Sequence, residues 1–211
     1  MIKRLLDFLF SFMGLIFLSP ILVFIAFWIK FDSNGPIFFR QERVGLNGKI
    51  FKIRKFRSMH INSETQGKLT VGKDPRITTS GKFIRRFKVD ELPQLIDVLL
   101  GRMSLVGPRP EVKEFIDVYP KDIREKILSV RPGITDMASI EMVDENEILG
   151  KHQDANQAYI DNILPIKQKL YLDYVENRSV WMDINIMFLT ICFLLTTGIM
   201  SYLFFINSLL A

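Results

Sequence analysis

A single cysteine, Cys192, and two histidines, His60 and His152, are the only thiol and imidazole ligands in the 211 residues. No disulfide can close within this sequence, no thiolate metal site can be built, and a multi-histidine zinc site is out of reach. Walker A and Gly-x-Gly-x-x-Gly patterns are missing, which removes the common nucleotide-binding loops. Charge is absent from two long stretches, Phe8 to Ile29 and Ile184 to Ala211.

What remains is apolar and unevenly charged. Hydrophobic residues make up 48% and eighteen residues are Phe, a rich supply for a chain sized for one domain. Residues 30–88 hold fifteen Lys and Arg against four acids, whereas 89–211 are net negative by seven. A block that basic seeks phosphates, in nucleic acid, lipid headgroups or a phosphorylated substrate.

The first uncharged stretch is long enough to cross a bilayer as a plain helix, and too long for a cleaved signal peptide. Ser19-Pro20 near its middle offers another reading. Pro20 cannot donate to the carbonyl of Ile16, so the helix must bend or break, and Ser19 can return a hydroxyl bond one turn back. Two arms of about half a bilayer would result, with basic flanks at both ends, which favours a re-entrant hairpin with both ends on the cytoplasmic face. Both readings stand on pattern. The second stretch, 184–211, spans or lies in the interface.

Between them, residues 36–57 read as a β-hairpin about Asn47-Gly48, a type I′ turn signal. Its basic residues from Lys49 to Arg57 face solvent or lipid phosphates. Residues 82–88 read as a short amphipathic helix. Leu92, Leu95, Ile96 and Leu99 keep helical spacing, Gly101 stops that helix, and Pro93 in its first turn would put Asp90 at the N-cap. Against a mere cap stand two stiff loops, Pro108-Arg109-Pro110 and Arg131-Pro132-Gly133, each presenting a guanidinium suited to clamping phosphate.

The chain resembles the bacterial sugar transferase family, the small monotopic phosphoglycosyl transferases. The resemblance rests on Ser19-Pro20, the Phe51–Met59 stretch, Asp74-Pro75-Arg76-Ile77-Thr78, and Asp90-Glu91-Leu92-Pro93-Gln94-Leu95. Gly107-Pro108-Arg109-Pro110-Glu111 and Arg131-Pro132-Gly133-Ile134-Thr135 complete it. It implies a mainly α fold with a small β-hairpin, divided into a re-entrant membrane hairpin (1–30), a cytoplasmic catalytic domain (31–183) and a C-terminal membrane-associated segment (184–211). It implies transfer of a sugar 1-phosphate from a UDP-sugar to undecaprenyl phosphate at the bacterial inner membrane, with Mg²⁺ as cofactor and UMP released. Asp90 would be the nucleophile and Glu91 its assistant, both at the metal, with Arg85 and Arg109 on substrate phosphates, where the stiff-loop reading adds Arg131. The likeness leans toward users of UDP-linked N-acetylated deoxy-amino sugars. Two departures stand out: Asp136-Met137 replaces the usual Gly-aromatic pair, and the C-terminus is apolar rather than basic. No nucleic-acid partner is expected, and self-association is left open. The competing reading is a membrane-anchored basic module that binds anionic lipid or nucleic acid without catalysis.

Overall fold

The computed structural model describes residues 1–61, 63, 69, 74–142 and 145–210, except the side chains of 146 and 197–210. Lys68, Lys73 and the polar side chains from Thr197 onward therefore lie outside the described residues. Ile2–Asp32 forms one helix, α1, of 31 residues, about 46 Å long. By length and composition it could cross a membrane. The two arms expected on either side of Ser19-Pro20 are halves of this continuous helix. The carbonyl of Ile16, which Pro20 cannot serve, accepts from Ser19 Oγ at 2.7 Å, so the proline interrupts one backbone bond without ending the helix.

One stripe of α1 rests on the rest of the protein from end to end. Near its start, Arg4 donates to the carbonyls of Val98 (2.6 Å) and Leu99 (3.1 Å). Asp7 accepts from Ser104 Oγ (2.8 Å) and the Leu105 N–H (3.1 Å). Near its end, Ile25 and Ile29 pack on Phe56 and Ile84, and Asp32 accepts from the N–H and hydroxyl of Ser80 at 3.0 and 2.8 Å. Arg57 donates to the carbonyls of Ser33 (2.7 Å), Asn34 and Ile29 (3.3 Å) just there. The outward face is apolar and bare, with Phe17 71% and Phe24 65% exposed.

Strands β1 (Phe38–Val44) and β2 (Ile50–Phe56) pair antiparallel, Phe38 opposite Phe56 and Val44 opposite Ile50. The turn between them has positive φ at Asn47 and Gly48, and the Lys49 N–H returns to the Leu46 carbonyl at 3.2 Å, as the Asn-Gly signal predicts. The expectation that its basic residues face solvent or lipid fails for three of them. Arg54 pairs with Asp97, Lys55 with Glu91, and Arg57 is 5% exposed beneath the end of α1.

Helix α2 (Thr79–Arg86) starts from an N-cap at Thr78, three residues before the expected start, because the Thr78 hydroxyl accepts from the Gly81 N–H. A tight turn over Val89–Glu91 follows, then α3 (Gln94–Leu99), ended by Gly101 at φ 78°. Strands β3 (Ser104–Val106) and β4 (Gly133–Thr135) pair in parallel. They bring the two arginine-proline loops side by side: a Cβ at Gly107 would stand 2.6 Å from the Arg131 carbonyl, and one at Gly133 would strike the Gly107 backbone. Glycine is required at both by close approach.

Short helices α4 (Lys113–Asp117), α5 (Lys121–Leu128), α6 (Met137–Glu141), α7 (Glu145–Gly150) and α8 (Ala155–Ala158) lead into α9 (Leu164–Asn177). Together with Val44 they enclose the main core, which includes Phe115, Leu149, Tyr159 and Tyr171. The C-terminal stretch forms α10 (Val180–Leu210).

Asp97 joins three of these parts. Fully buried, it accepts from the Arg54 N–H at 2.9 Å and from the Arg54 and Arg102 guanidinium groups. Asp97→Ala should strand Arg54 and cost about 3–5 kcal/mol, lowering the thermal midpoint by roughly 10 °C. Differential scanning fluorimetry in detergent checks this; a midpoint within a degree or two of the unmodified protein refutes it.

Candidate active site

Lys88, with φ 51° and ψ 23°, reverses the chain at the end of α2 and starts the turn that carries Asp90 and Glu91. This turn displaces the expected N-cap. Helix α3 begins at Gln94 with Pro93 as its cap residue, and Asp90 sits inside the preceding turn, where its carboxylate caps nothing.

The two adjacent carboxylates live in different company. Glu91 Oε1 accepts from Lys55 Nζ at 2.6 Å and from Arg109 Nη2, while Oε2 accepts from Arg109 Nη1 at 3.2 Å. Arg109 thus grips Glu91 with its whole fork. Burial works to raise the Glu91 pKa, but the charges and hydrogen bonds of Arg109 and Lys55 outweigh it and hold the group well below the usual carboxylate range. Arg109 is pushed up in turn, chiefly by Glu91. Asp90, half-buried, makes no hydrogen bond or ion pair with any described residue. Shielding from water raises its pKa, Lys55 opposes the rise, the Glu91 charge adds to it, and Arg85 and Arg109 oppose it.

Arg85, Asp90, Glu91 and Arg109 are therefore gathered as the sequence led us to expect. Arg131 is not gathered with them. Its Nε donates to the Gly101 carbonyl at 2.9 Å, because β4 starts behind α3 and the Arg-Pro-Gly loop meets the end of that helix. Lys55 was given no role from sequence, although a signal existed. Residues 53 and 55 share one face of β2, and Ile53 is buried; a lysine continuing an inward face needs an anionic partner. Asp136 is likewise drawn in, 4% exposed and N-capping α6 through Ser139. Burial raises its pKa against the Ser139 hydrogen bonds and the Arg109 charge.

The arrangement provides one uncommitted carboxylate within a ring of cations that a neighbouring carboxylate holds in place. Such a site attracts an anion and presents a nucleophile or base to it.

Comparison with known proteins gives the family of the chain. The family model described as "Bacterial sugar transferase" matches residues 1–197. The chain is similar to a UDP-N-acetylgalactosamine-undecaprenyl-phosphate N-acetylgalactosaminephosphotransferase of Aeromonas hydrophila, 39% identical over 92% of this chain and 44% of that protein. It is similar to a UDP-glucose:undecaprenyl-phosphate glucose-1-phosphate transferase of Escherichia coli (strain K12), 39% identical over 90% of this chain and 39% of the relative. A galactosyl transferase CpsE of Streptococcus agalactiae serotype III (strain NEM316) is 38% identical over 93% of this chain and 43% of its own length. The chain spans less than half the length of these relatives.

Glu91→Gln removes the like charge beside Asp90 and releases Lys55 and Arg109 toward it. The Asp90 pKa should then fall toward the ordinary aspartate value, read by ¹³C NMR of the labelled carboxyl as pH is varied. A rise on substitution would mean that Glu91 is not what holds the cations.

Proposed function

The chain belongs to the bacterial sugar transferase family, and from that premise we propose that it moves a sugar 1-phosphate from a UDP-sugar to undecaprenyl phosphate through a covalent Asp90 intermediate. The product would open polysaccharide or glycoconjugate assembly on the membrane. The relatives' printed names supply the substrate classes, and the unpaired Asp90 beside the doubly paired Glu91 carries the mechanism.

A carboxylate oxygen of Asp90 attacks the phosphorus attached to the sugar, and the bond to UMP breaks with its electron pair leaving on UMP. The lipid phosphate then attacks the same phosphorus and the acyl phosphate bond breaks, restoring the carboxylate. The raised pKa of Asp90 makes its anion a better nucleophile than a well-solvated carboxylate. Arg85 and Arg109 offset the charge of the approaching phosphates, and Lys55 with Arg109 keeps Glu91 from drifting toward the nucleophile.

The donor atoms suit Mg²⁺, which takes oxygen ligands and needs few from protein. Asp90 accepts nothing from the described residues, and Glu91 Oε2 accepts at 3.2 Å from one guanidinium nitrogen; these carboxylates would hold the ion with phosphate oxygens. When bound it would neutralise charge on the phosphate under attack. Among sugars, the N-acetylated amino sugars come first, with glucose and galactose tested beside them.

For topology, we read α1 as dipping into one leaflet, both ends on the cytoplasmic side of the inner membrane. The support is that Arg4 and Asp7 at one end and Asp32 at the other bind the same polar body. A crossing helix would have to surrender one set of these partners to water on the far side. The basic-module alternative is weakened, since Arg54, Lys55 and Arg57 are used inside the protein.

Incubation with a panel of UDP-sugars labelled in the sugar phosphate should release UMP and leave label on the protein. Asp90→Asn should lose both by roughly three decades or more. Full UMP release by that variant ends the covalent mechanism.

In a Cys192→Ser background, cysteines at the exposed positions Ile2 and Phe31 should both resist a membrane-impermeant thiol reagent in intact cells. Both should react once the membrane is opened. Labelling of one position alone in intact cells would establish a crossing.

A further inference from the structure

Helix α10 meets the body along one stripe, and that stripe reaches Lys88, two residues from Asp90. Asp183 pairs with Lys3 at 2.7 Å, Ile186 is buried, Thr190 Oγ1 lies 2.7 Å from Thr135 Oγ1, and the Phe193 ring carries the Lys88 ammonium 5.0 Å from its centroid. Positions 183, 186, 190 and 193 are three and four apart and so share a helix face. The opposite face is apolar, with Phe188, Ile191 and Leu195 at 61, 56 and 60% exposure. From Phe193 onward the sequence has no charge to its last residue.

Lys88 thus stands at a boundary. Two residues past it is Asp90, and against it is a helix that carries no charge from there on. Its backbone is left-handed, a conformation that disfavours any residue with a Cβ by about 1–2 kcal/mol and here sets the path of the catalytic turn. Glu91 takes Lys55 and Arg109, and the Gly101 carbonyl takes Arg131. No carboxylate among the described residues pairs with Lys88, whose ammonium rests on a ring instead. A cation on an aromatic face is held weakly beside one bonded to a phosphate.

We propose that Lys88 is the docking residue for the phosphate of the lipid acceptor, whose hydrocarbon chain lies along the uncharged end of α10, and that Phe193 holds the ammonium in place until it does. The proposal rests on the transfer reading above and assigns the acceptor half of it. A cation with no carboxylate partner among the described residues, beside a helix that carries no charge from there on, matches an amphiphile with one anionic head and a long hydrocarbon tail. A soluble sugar nucleotide has no use for the apolar track, and its phosphates have Arg85 and Arg109. Phosphate held at Lys88 would lie close to the phosphorus on Asp90 that it must attack.

The two half-reactions separate the acceptor from the donor. Enzyme labelled from a UDP-sugar without acceptor is discharged by increasing polyprenyl phosphate, for the unmodified protein, Lys88→Gln, Lys88→Gly (which relieves the left-handed backbone), Lys88→Arg and Phe193→Leu. The half-saturating polyprenyl phosphate should rise roughly ten- to a hundredfold in Lys88→Gln and Lys88→Gly, the range for losing a charged hydrogen bond. It should rise a few-fold in Phe193→Leu and be largely restored in Lys88→Arg. Half-saturation by the UDP-sugar in the labelling step should shift by less than about threefold, because the donor's bonds to Arg85 and Arg109 are untouched. Equal weakening toward both substrates would make Lys88 a donor residue, and unaltered discharge would remove it from the acceptor site; either overturns the proposal. Binding of polyprenyl phosphate in detergent micelles is read alongside. If the unmodified protein takes no label, the transfer reading fails, and the micelle measurement still judges the lipid site: weaker binding by Lys88→Gln supports it, equal binding refutes it.

Discussion

Both ends of a long apolar helix are tied by charged groups to one polar body, and the rest of the molecule is arranged around that constraint. Arg4 supplies donors to the last carbonyls of α3, where the helix dipole and unpaired C=O groups favour a cation. Asp32 takes the hydroxyl and N–H of Ser80 at the start of α2. Helices α2 and α3 flank the turn that carries Asp90, so the apolar helix holds the frame of the active site from both sides. An exposed face of Phe, Ile and Leu on α1 is the natural contact with lipid.

At the centre of that frame, a pair of neighbouring carboxylates is made unequal by their partners. Two cations hold the proton affinity of one carboxylate down, while burial raises that of the other, which has no bond among the described residues to give up. Like charges on adjacent residues repel, and the protein answers by fastening Glu91 between Lys55 on β2 and Arg109 on the loop after β3. The strand, the turn and the loop come from three separate parts of the chain. Their assembly depends on the close approach of Gly107 and Gly133, which lets β3 and β4 pair with no side chain between them.

Much of the basic block is used internally in this way. Arg54 completes Asp97, Arg57 closes the end of α1, and Arg76 binds Asp74 together with the carbonyls of Ser63 and Leu69. A strongly positive segment can thus be divided between the interior and the surface, where Lys30, Arg40, Lys49, Lys52, Lys82, Arg86 and Lys88 stay exposed. Desolvation makes such pairs strict: each cation taken from water needs a specific oxygen, which fixes register and loop path more firmly than apolar contact does.

Local pattern by itself determined the apolar stretches, the Asn-Gly turn, the Gly101 helix stop and the Ser19 bond to the Ile16 carbonyl, because each depends on residues a few positions apart. It also picked out Asp90, Glu91 and Arg109, whose paired or rigid settings are visible in the chain, whereas Arg85 came from the family resemblance. Tertiary structure decided the rest. Whether a guanidinium meets a carboxylate, as Arg109 does, or a helix-end carbonyl, as Arg131 does, depends on which strand its loop leaves. That Lys55 points inward was hinted by Ile53, but its partner lies 36 residues away. That Asp90 lacks the cap role its position suggested follows from the left-handed turn at Lys88, a conformation no lysine reveals in sequence. Electrostatic partnership acts through space, and only the folded chain sets those distances.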